Sequence, residues 1–463
     1  MTDSPAISKS STTSAPRLRR VLTLWDLIFY GIVLVQPIAP VPLYGVAQKL
    51  SNGHFATIIV IAMFAMMITA VSYGRMAALY PSAGSAYTYV GRGLNPHLGF
   101  LAGWAMFLDY LLQPLINTVW ISTALHERYV HAVPFFAWAA MIAAIITLLN
   151  LRGIRSSARA NKILLFFMFV VVGCFVLLAV RFLLRANGVS GLFSTQPFYD
   201  PRTFDSHRIW SATSFAALTY IGFDGVTTLA EDVENPKRNV LLATVLVCVF
   251  TGVFGGLLVY LAQLVWPDWH QFPNLETAFM DICHRVGGAL LFNAMGVILI
   301  LAAFGSALTG GLGAARLLFG MGRDNVLPRR VFGHLSPGSS TPTYNILIIG
   351  GLSFLGAVVL NRVGNAYEHA GELLNFGAFL AFMGVNLATF WQFAVVSKSG
   401  AKRVFADVIL PLVGFAFCAL IWWNLNPLAK TIGGIWFAIG FGYLAITTRA
   451  FRRAPAMIDF TES

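Results

Sequence analysis

The stretch LTYIGFDGVTTLAEDVENPKRN, residues 218–239, runs a membrane-grade apolar segment into a charged turn and interrupts it with Gly222, Asp224 and Gly225. A segment meant only to cross lipid would avoid all three. Glycine weakens a helix interior by about 1 kcal/mol relative to alanine, and an ionisable group inside a membrane is costly and marks function by default. In hydrocarbon every backbone N–H and C=O needs a partner, so a broken helix survives only against protein or a water-filled cavity. The stretch therefore predicts an interrupted membrane helix whose loosened backbone faces something polar. Glycines that merely let helices pack closely are the alternative, but that alternative leaves Asp224 unexplained.

Working outward, the rest of the chain supplies the membrane context. Its 463 residues are 57% hydrophobic and 11% charged, where a soluble domain is about one-quarter charged. Apolar runs of the ~20 residues needed to cross ~30 Å of hydrocarbon recur throughout. They lie at 22–48, 56–80, 97–125, 133–150, 161–184, 209–231, 239–266, 288–321, 342–360, 369–396, 406–425 and 431–448, which predicts an all-α integral membrane protein of twelve transmembrane helices. The alternating ~10-residue segments of a membrane β-barrel are absent. The run at 288–321 is long enough to tilt or to project beyond the bilayer.

The net charge of +12 does not argue for nucleic acid, because the bases sit in short loops between spans. With the N-terminus inside, 22 of the 31 lysines and arginines fall on the cytoplasmic side, as the positive-inside rule requires. Both termini are expected in the cytoplasm, with polar tails at 1–20 and 449–463, disordered or surface-bound, flanking one transporter domain at 21–448. Arg17, Arg19 and Arg20 lead into a first span too long for a signal h-region, so no cleaved signal is expected. Cys174, Cys248, Cys283 and Cys418 are scattered without C-x-x-C spacing, and imply neither a disulfide framework nor a zinc site. No H-E-x-x-H, G-x-S-x-G or P-loop lysine motif is present, so no enzyme, metal or cofactor is expected.

A second interruption answers the first. In VQPIAPVPLYG, residues 35–45, Pro37, Pro40 and Pro42 each remove a donor and oppose helix continuation, predicting a non-helical segment across all three. An offset of 187 residues carries Pro37 onto Asp224 and the second span onto the seventh. Five spans per half is an odd number, so the halves enter from opposite sides. This predicts inverted repeats at about 22–184 and 209–396, with two extra helices at 406–448. Paired interrupted helices are the best sequence pointer to a transporter's binding site. Val35, Gln36, Pro37 and Ile38 in the first break, Gly222, Phe223 and Asp224 in the second, and Tyr110 are the candidate substrate contacts. Asp26, Asp109, Glu231 and Glu372 are further deep acids with no lysine in mid-span to pair them. Such a carboxylate takes up a proton or meets a cation, since low-dielectric surroundings disfavour the bare charge; Asp26 and Asp109 can equally be snorkelling or hydrogen-bonded structural groups. Glu231 stands near Glu234, Lys237 and Arg238, an arrangement suited to an ion-pair gate.

Three stretches together carry a resemblance: YPSAGSAYTYVGRGLNPHLGFLAGW (80–104), GFDGVTTLAEDVENPKRNV (222–240) and ARLLFGMGRDNVLP (315–328). They resemble the amino acid–polyamine–organocation superfamily of permeases, over essentially the whole chain. Within it the LDYLLQPLIN stretch (108–117) and the GFD-VTTL-E pattern look most like bacterial putrescine importers. The resemblance implies the five-plus-five inverted-repeat fold, alternating access, a bacterial inner membrane and a substrate held between broken spans 1 and 6. It also implies proton sensing at Asp224 and a cavity-facing Tyr110. Two departures matter. The glycine-rich turn that holds a substrate carboxylate in amino acid permeases is replaced by Val35, Gln36 and Pro37, and the span-5 lysine that stands in for sodium is Met168. The expected function is proton-coupled uptake of a small amine such as putrescine, with an amino acid permease or exchanger as the alternative and a transporter-derived membrane sensor as the different-class one. With sodium coupling, Ser306 and Thr309 are the candidate ligands.

Overall fold

Proline and glycine decide where these helices stop. The structure, a computed structural model, describes residues 22–81, 84–129, 131–152, 158–230, 233–323, 327–336, 342–364, 366–397, 403–453 and 455. The helices in chain order are α1 (Leu24–Val35), α2 (Pro40–Leu50), α3 (Phe55–Leu79), α4 (Ser85–Gly93), α5 (Pro96–Ala124), α6 (Phe135–Leu151), α7 (Ala158–Asn187) and α8 (Ser206–Ala216). There follow α9 (Pro236–Val265), α10 (Ala278–Arg323), α11 (Arg329–Phe332), α12 (Thr343–Val363), α13 (Ala366–Phe390), α14 (Leu410–Trp423) and α15 (Pro427–Thr447). Among the described residues the only β pairing is an isolated bridge between Leu22 and Val233.

Nine helices among the described residues are long and apolar enough to cross a bilayer, and α1 with α2 makes a tenth, bent by 54° at its break. The predicted run at 133–150 is α6, apolar but only 17 residues long. The run at 209–231 is not one helix. It is α8 followed by two 3₁₀ segments, Ala217–Tyr220 and Phe223–Leu229, as its glycines require. The first break is shorter than expected. Only Gln36–Ala39 leaves the helix, and Pro40 and Pro42 begin α2, because the first turn of a helix has no use for the amides that proline lacks. The run predicted from 288 begins at a real break: Gly288, at φ +64°, is non-helical and divides α10 into a short preceding helix from Ala278 and the long predicted span.

Small residues set the packing. α3 runs along α9 and α13 along α5, the two most extensive helix pairs. Gly74 lets Leu241 of α9 lie against α3, and Gly377 lets α13 approach the Ala105 carbonyl of α5. The connections sort to two ends. At one, Arg75 binds the Asp407 carboxylate and the Ala406 carbonyl while lying 3.8 Å from the Phe393 ring, and His97 bonds the Arg453 carbonyl. At the other, Asn52 donates to Thr203 O, Thr57 to Phe198 O and Asn274 to Glu127. Loops assigned to one side of the membrane from their charges thus contact each other. The C-terminal tail from Arg449 to Arg453 turns back onto this first end, where Phe451 packs on His97 and Phe441. The tail residues 1–20 lie outside the described residues.

Candidate functional site

The two breaks touch. Gly222 holds φ at +109°, which glycine adopts freely and other residues rarely do. A Cβ there would stand 3.3 Å from Leu34 Cγ, and Gly225 faces the same leucine. The last turn of α1 therefore seats directly on the span-6 interruption.

Beside this contact lies a cavity of about 90 Å³, small against the ~300–1,000 Å³ of drug-sized sites. Val35, Gln36 and Ile38 line it from the first break and Ile221 from the second. Pro37, Tyr110, Gly222, Phe223 and Asp224 are not among its lining residues. Glu231 lies outside the described residues, so the gate assigned to it has no geometry here. Phe223 is fully buried and packs edge-on against Tyr73 and beside Phe382. The polar lining that sequence reading passed over is Gln113 and Asn117 of α5 and Tyr367 of α13. Gln113 and Asn117 stand four apart in a mostly apolar helix, on one face, and that spacing was the available signal.

The hydrogen bonds give the cavity a polarity. Gln36 Nε2 donates to the Ala302 carbonyl at 2.5 Å. Gln113 Nε2 and Asn117 Nδ2 both donate to Ser306 Oγ at 3.3 Å, and Asn117 Nδ2 also to Gln113 O at 2.8 Å. With their N–H ends engaged, the three side-chain amides keep acceptor oxygens to offer. The first break is poor in donors. Gln36, Ala39 and Val41 amides bond to Ile32, Gln36 and Ile38 carbonyls, and prolines at 37, 40 and 42 have none. Among the described residues of 36–42 only the Ile38 amide lacks a backbone acceptor. No lysine, arginine or histidine is among the lining residues. Thr309 turns its hydroxyl to the Gly305 carbonyl, and Met168 is buried.

The deep acids separate by their partners. Asp26 is not deep as expected but exposed at the start of α1, where it closes a capping box, accepting from the Thr23 amide and hydroxyl. Glu372 accepts from Ser214 Oγ at 2.9 Å and from the Asn426 amide at 2.7 Å, tying α13 to α8 and to the start of α15. Asp224, 1% exposed, accepts from Tyr110 Oη at 3.3 Å, with backbone amides of its own turn close by. Asp109, 2% exposed, leaves Oδ1 without any hydrogen-bond partner. Among the described residues no group of three or more histidine, cysteine or acidic side chains is placed to hold a metal.

Comparison with known proteins gives this geometry a setting. The family model described as "Amino acid permease" matches residues 22–446. The chain is 32% identical over 450 residues to the low-affinity putrescine importer PlaP of Escherichia coli, covering 95% of this chain and 96% of that one. It is 26% identical to the branched-chain amino acid permease BcaP of Lactococcus lactis, covering 93% and 95%. It is 25% identical to the methylthioribose transporter of Bacillus subtilis, covering 94% and 95%.

Proposed function

Since the chain belongs to the amino acid permease family, whose members are transporters and not enzymes, we propose that it is a proton-coupled importer of a small amine, putrescine or a similar diamine. It works by alternating access in a bacterial cytoplasmic membrane, with both termini inside. Its frame is a twelve-span, five-plus-five inverted repeat with spans 1 and 6 broken. Val35, Gln36 and Ile38 form the substrate wall, Pro37 withholds an amide, and Gly222 and Phe223 shape the second break. Tyr110 and Asp224 couple substrate to proton, and Glu231 gates the inner mouth.

The observation that carries this reading is the tethering of the Gln36, Gln113 and Asn117 amides by their N–H ends, which leaves acceptor oxygens around a donor-poor break. Such a site suits an ammonium group and offers a carboxylate few donors and no cation. The resemblance to a putrescine importer supports the same choice. The resemblance to a branched-chain amino acid permease keeps an amino acid substrate as the second reading.

Competition for labelled substrate in proteoliposomes tests it. A buried charge left unpaired costs several kcal/mol, so putrescine should compete at least ~100-fold better than alanine, glutamate or arginine. Val35→Gly with Pro37→Gly, which restores flexible amides, should shift the preference toward amino acids. If a neutral amino acid is the tightest competitor of the unmodified chain, the second reading replaces the first.

A further inference from the structure

The short helix before the Gly288 break has two faces. On one, Phe279 packs edge-on against Tyr44 of α2, with ring centroids 5.5 Å apart, and beside Phe175 of α7 at 4.8 Å. Ala278, Ile282 and Cys283 are buried with it. A Cβ on Gly45 of α2 would strike the Leu275 carbonyl and Ala278 Cβ, so this helix sits directly on the second half of broken span 1. The other face carries Asp281, His284 and Arg285, which open into a cavity of about 770 Å³ that Trp266 and Asn293 also line. The Arg285 guanidinium stands 5.0 Å from the Trp266 ring and 5.6 Å from the Phe182 ring of α7, and it makes no ion pair among the described residues. A guanidinium backed by rings keeps its N–H fork for an acceptor, and phosphate matches that fork.

We propose that this cavity seats the headgroup of a phospholipid of the ethanolamine type, with its phosphate on Arg285 and His284 and its ammonium on Asp281. The place fits a lipid. Pro273 of the lining precedes Asn274, whose bond to Glu127 belongs to the second end of the molecule. With both termini inside, as proposed above, that end meets the outer leaflet, and the inference rests on that reading only for its sidedness. Ala289 of the lining is followed by Leu290, Val297 and Leu301, an exposed apolar stripe along α10 at helical spacing, against which acyl chains lie. The charge fits this headgroup. Arg285 and Asp281 balance each other, so a zwitterion matches both. An anionic headgroup would bring Asp281 nothing but like charge, and a choline headgroup has no N–H to donate to it. Asp281, His284 and Arg285 precede Gly288 while Asn293 follows it. A seated headgroup therefore bridges the break and steadies the helix that packs on broken span 1.

Thermal unfolding of the full chain in detergent tests this, with short-chain phosphatidylethanolamine, phosphatidylglycerol, phosphatidylcholine or soluble phosphoethanolamine added. A ligand that binds only the folded state raises the unfolding temperature with its concentration, and the ethanolamine lipid should do so at the lowest concentration. Arg285→Gln should need at least ~10-fold more of that lipid, the worth of a hydrogen bond to a charged group. Asp281→Asn should lose the preference for ethanolamine over glycerol headgroups. An equal response from Arg285→Gln and the unmodified chain overturns the proposal, as does a glycerol or choline lipid that outperforms the ethanolamine one. Phosphoethanolamine acting at the same concentration would move the ligand from the bilayer to solution and overturns the lipid assignment. If Arg285→Gln does not fold, Asp281→Asn decides alone, and an unchanged headgroup preference overturns the proposal. None of these measurements involves transport, so the proposal fails separately from the importer reading.

Discussion

Gln36 is held at φ +66°, where a side chain costs about 1–2 kcal/mol. Its amide donates to the Ala302 carbonyl, an interaction of about 1 kcal/mol that offsets much of this strain and clamps the first break to α10. The two effects can be separated. Gln36→Ala loses the clamp and keeps the strain, while Gln36→Gly loses the clamp and relieves it. The alanine variant should be less stable than the glycine variant by roughly 1 kcal/mol, read from thermal unfolding in detergent; equal stabilities would show that the backbone there is unstrained. Gln36 was legible in sequence as a residue of the first break because it lies in a proline-rich stretch. Its left-handed backbone was not, since glycine rather than glutamine signals that conformation. Asp109 was visible as a deep acid, but its lack of any donor depends on what neighbouring helices bring to it, which no single stretch records.

At the scale of elements, the interruptions were the most legible feature. Glycine and proline act on their own helix, so positions 36–39 and 221–222 could be read locally. The fates of Pro40 and Pro42 turned on which side of the break a new helix starts. The helix that precedes the predicted span, from Ala278, is set off by Gly288, whose non-helical backbone breaks α10 where the apolar run was predicted to start. Helix contacts were hidden because a small residue shows its purpose only against its neighbour. Gly377 of α13 is such a residue, because a Cβ there would strike the Ala105 carbonyl. Gly377→Leu should destabilise the fold by about 1–3 kcal/mol through overpacking, whereas Gly351→Leu, facing open space on α12, should be neutral or better. Thermal unfolding of the two variants checks the contrast, and similar losses in both would remove the packing argument.

For the whole molecule, the two-ended sorting of loops was anticipated from charge because topology constrains which loops can meet. The ion pair of Arg75 with Asp407, between residues far apart in sequence, was not. The proposed coupling also belongs to this scale, since the coupling ion must pass between both faces of the membrane. Met168, buried where some relatives of the superfamily are expected to carry a lysine in place of sodium, leaves either sodium or a titrating carboxylate as the coupling device, and the reading proposed above takes the proton. Uptake should collapse with a protonophore and persist when choline replaces sodium. A strict sodium requirement would return Ser306 and Thr309 as candidate ligands.

The brevity of α6 reaches into the surrounding lipid. Its 17 residues rise only about 26 Å at 1.5 Å each, against ~30 Å of hydrocarbon, and Phe136, Met141 and Leu148 point outward from it. If α6 spans the bilayer, acyl chains beside it shorten to meet its ends, at a fraction of a kcal/mol per ångström of mismatch. A spanning α6 would draw the bilayer thinner along one flank. In vesicles made from shorter-chain phospholipids the protein should be more stable and transport faster than in long-chain ones, and the steepest dependence on chain length should vanish when α6 is lengthened by one apolar turn.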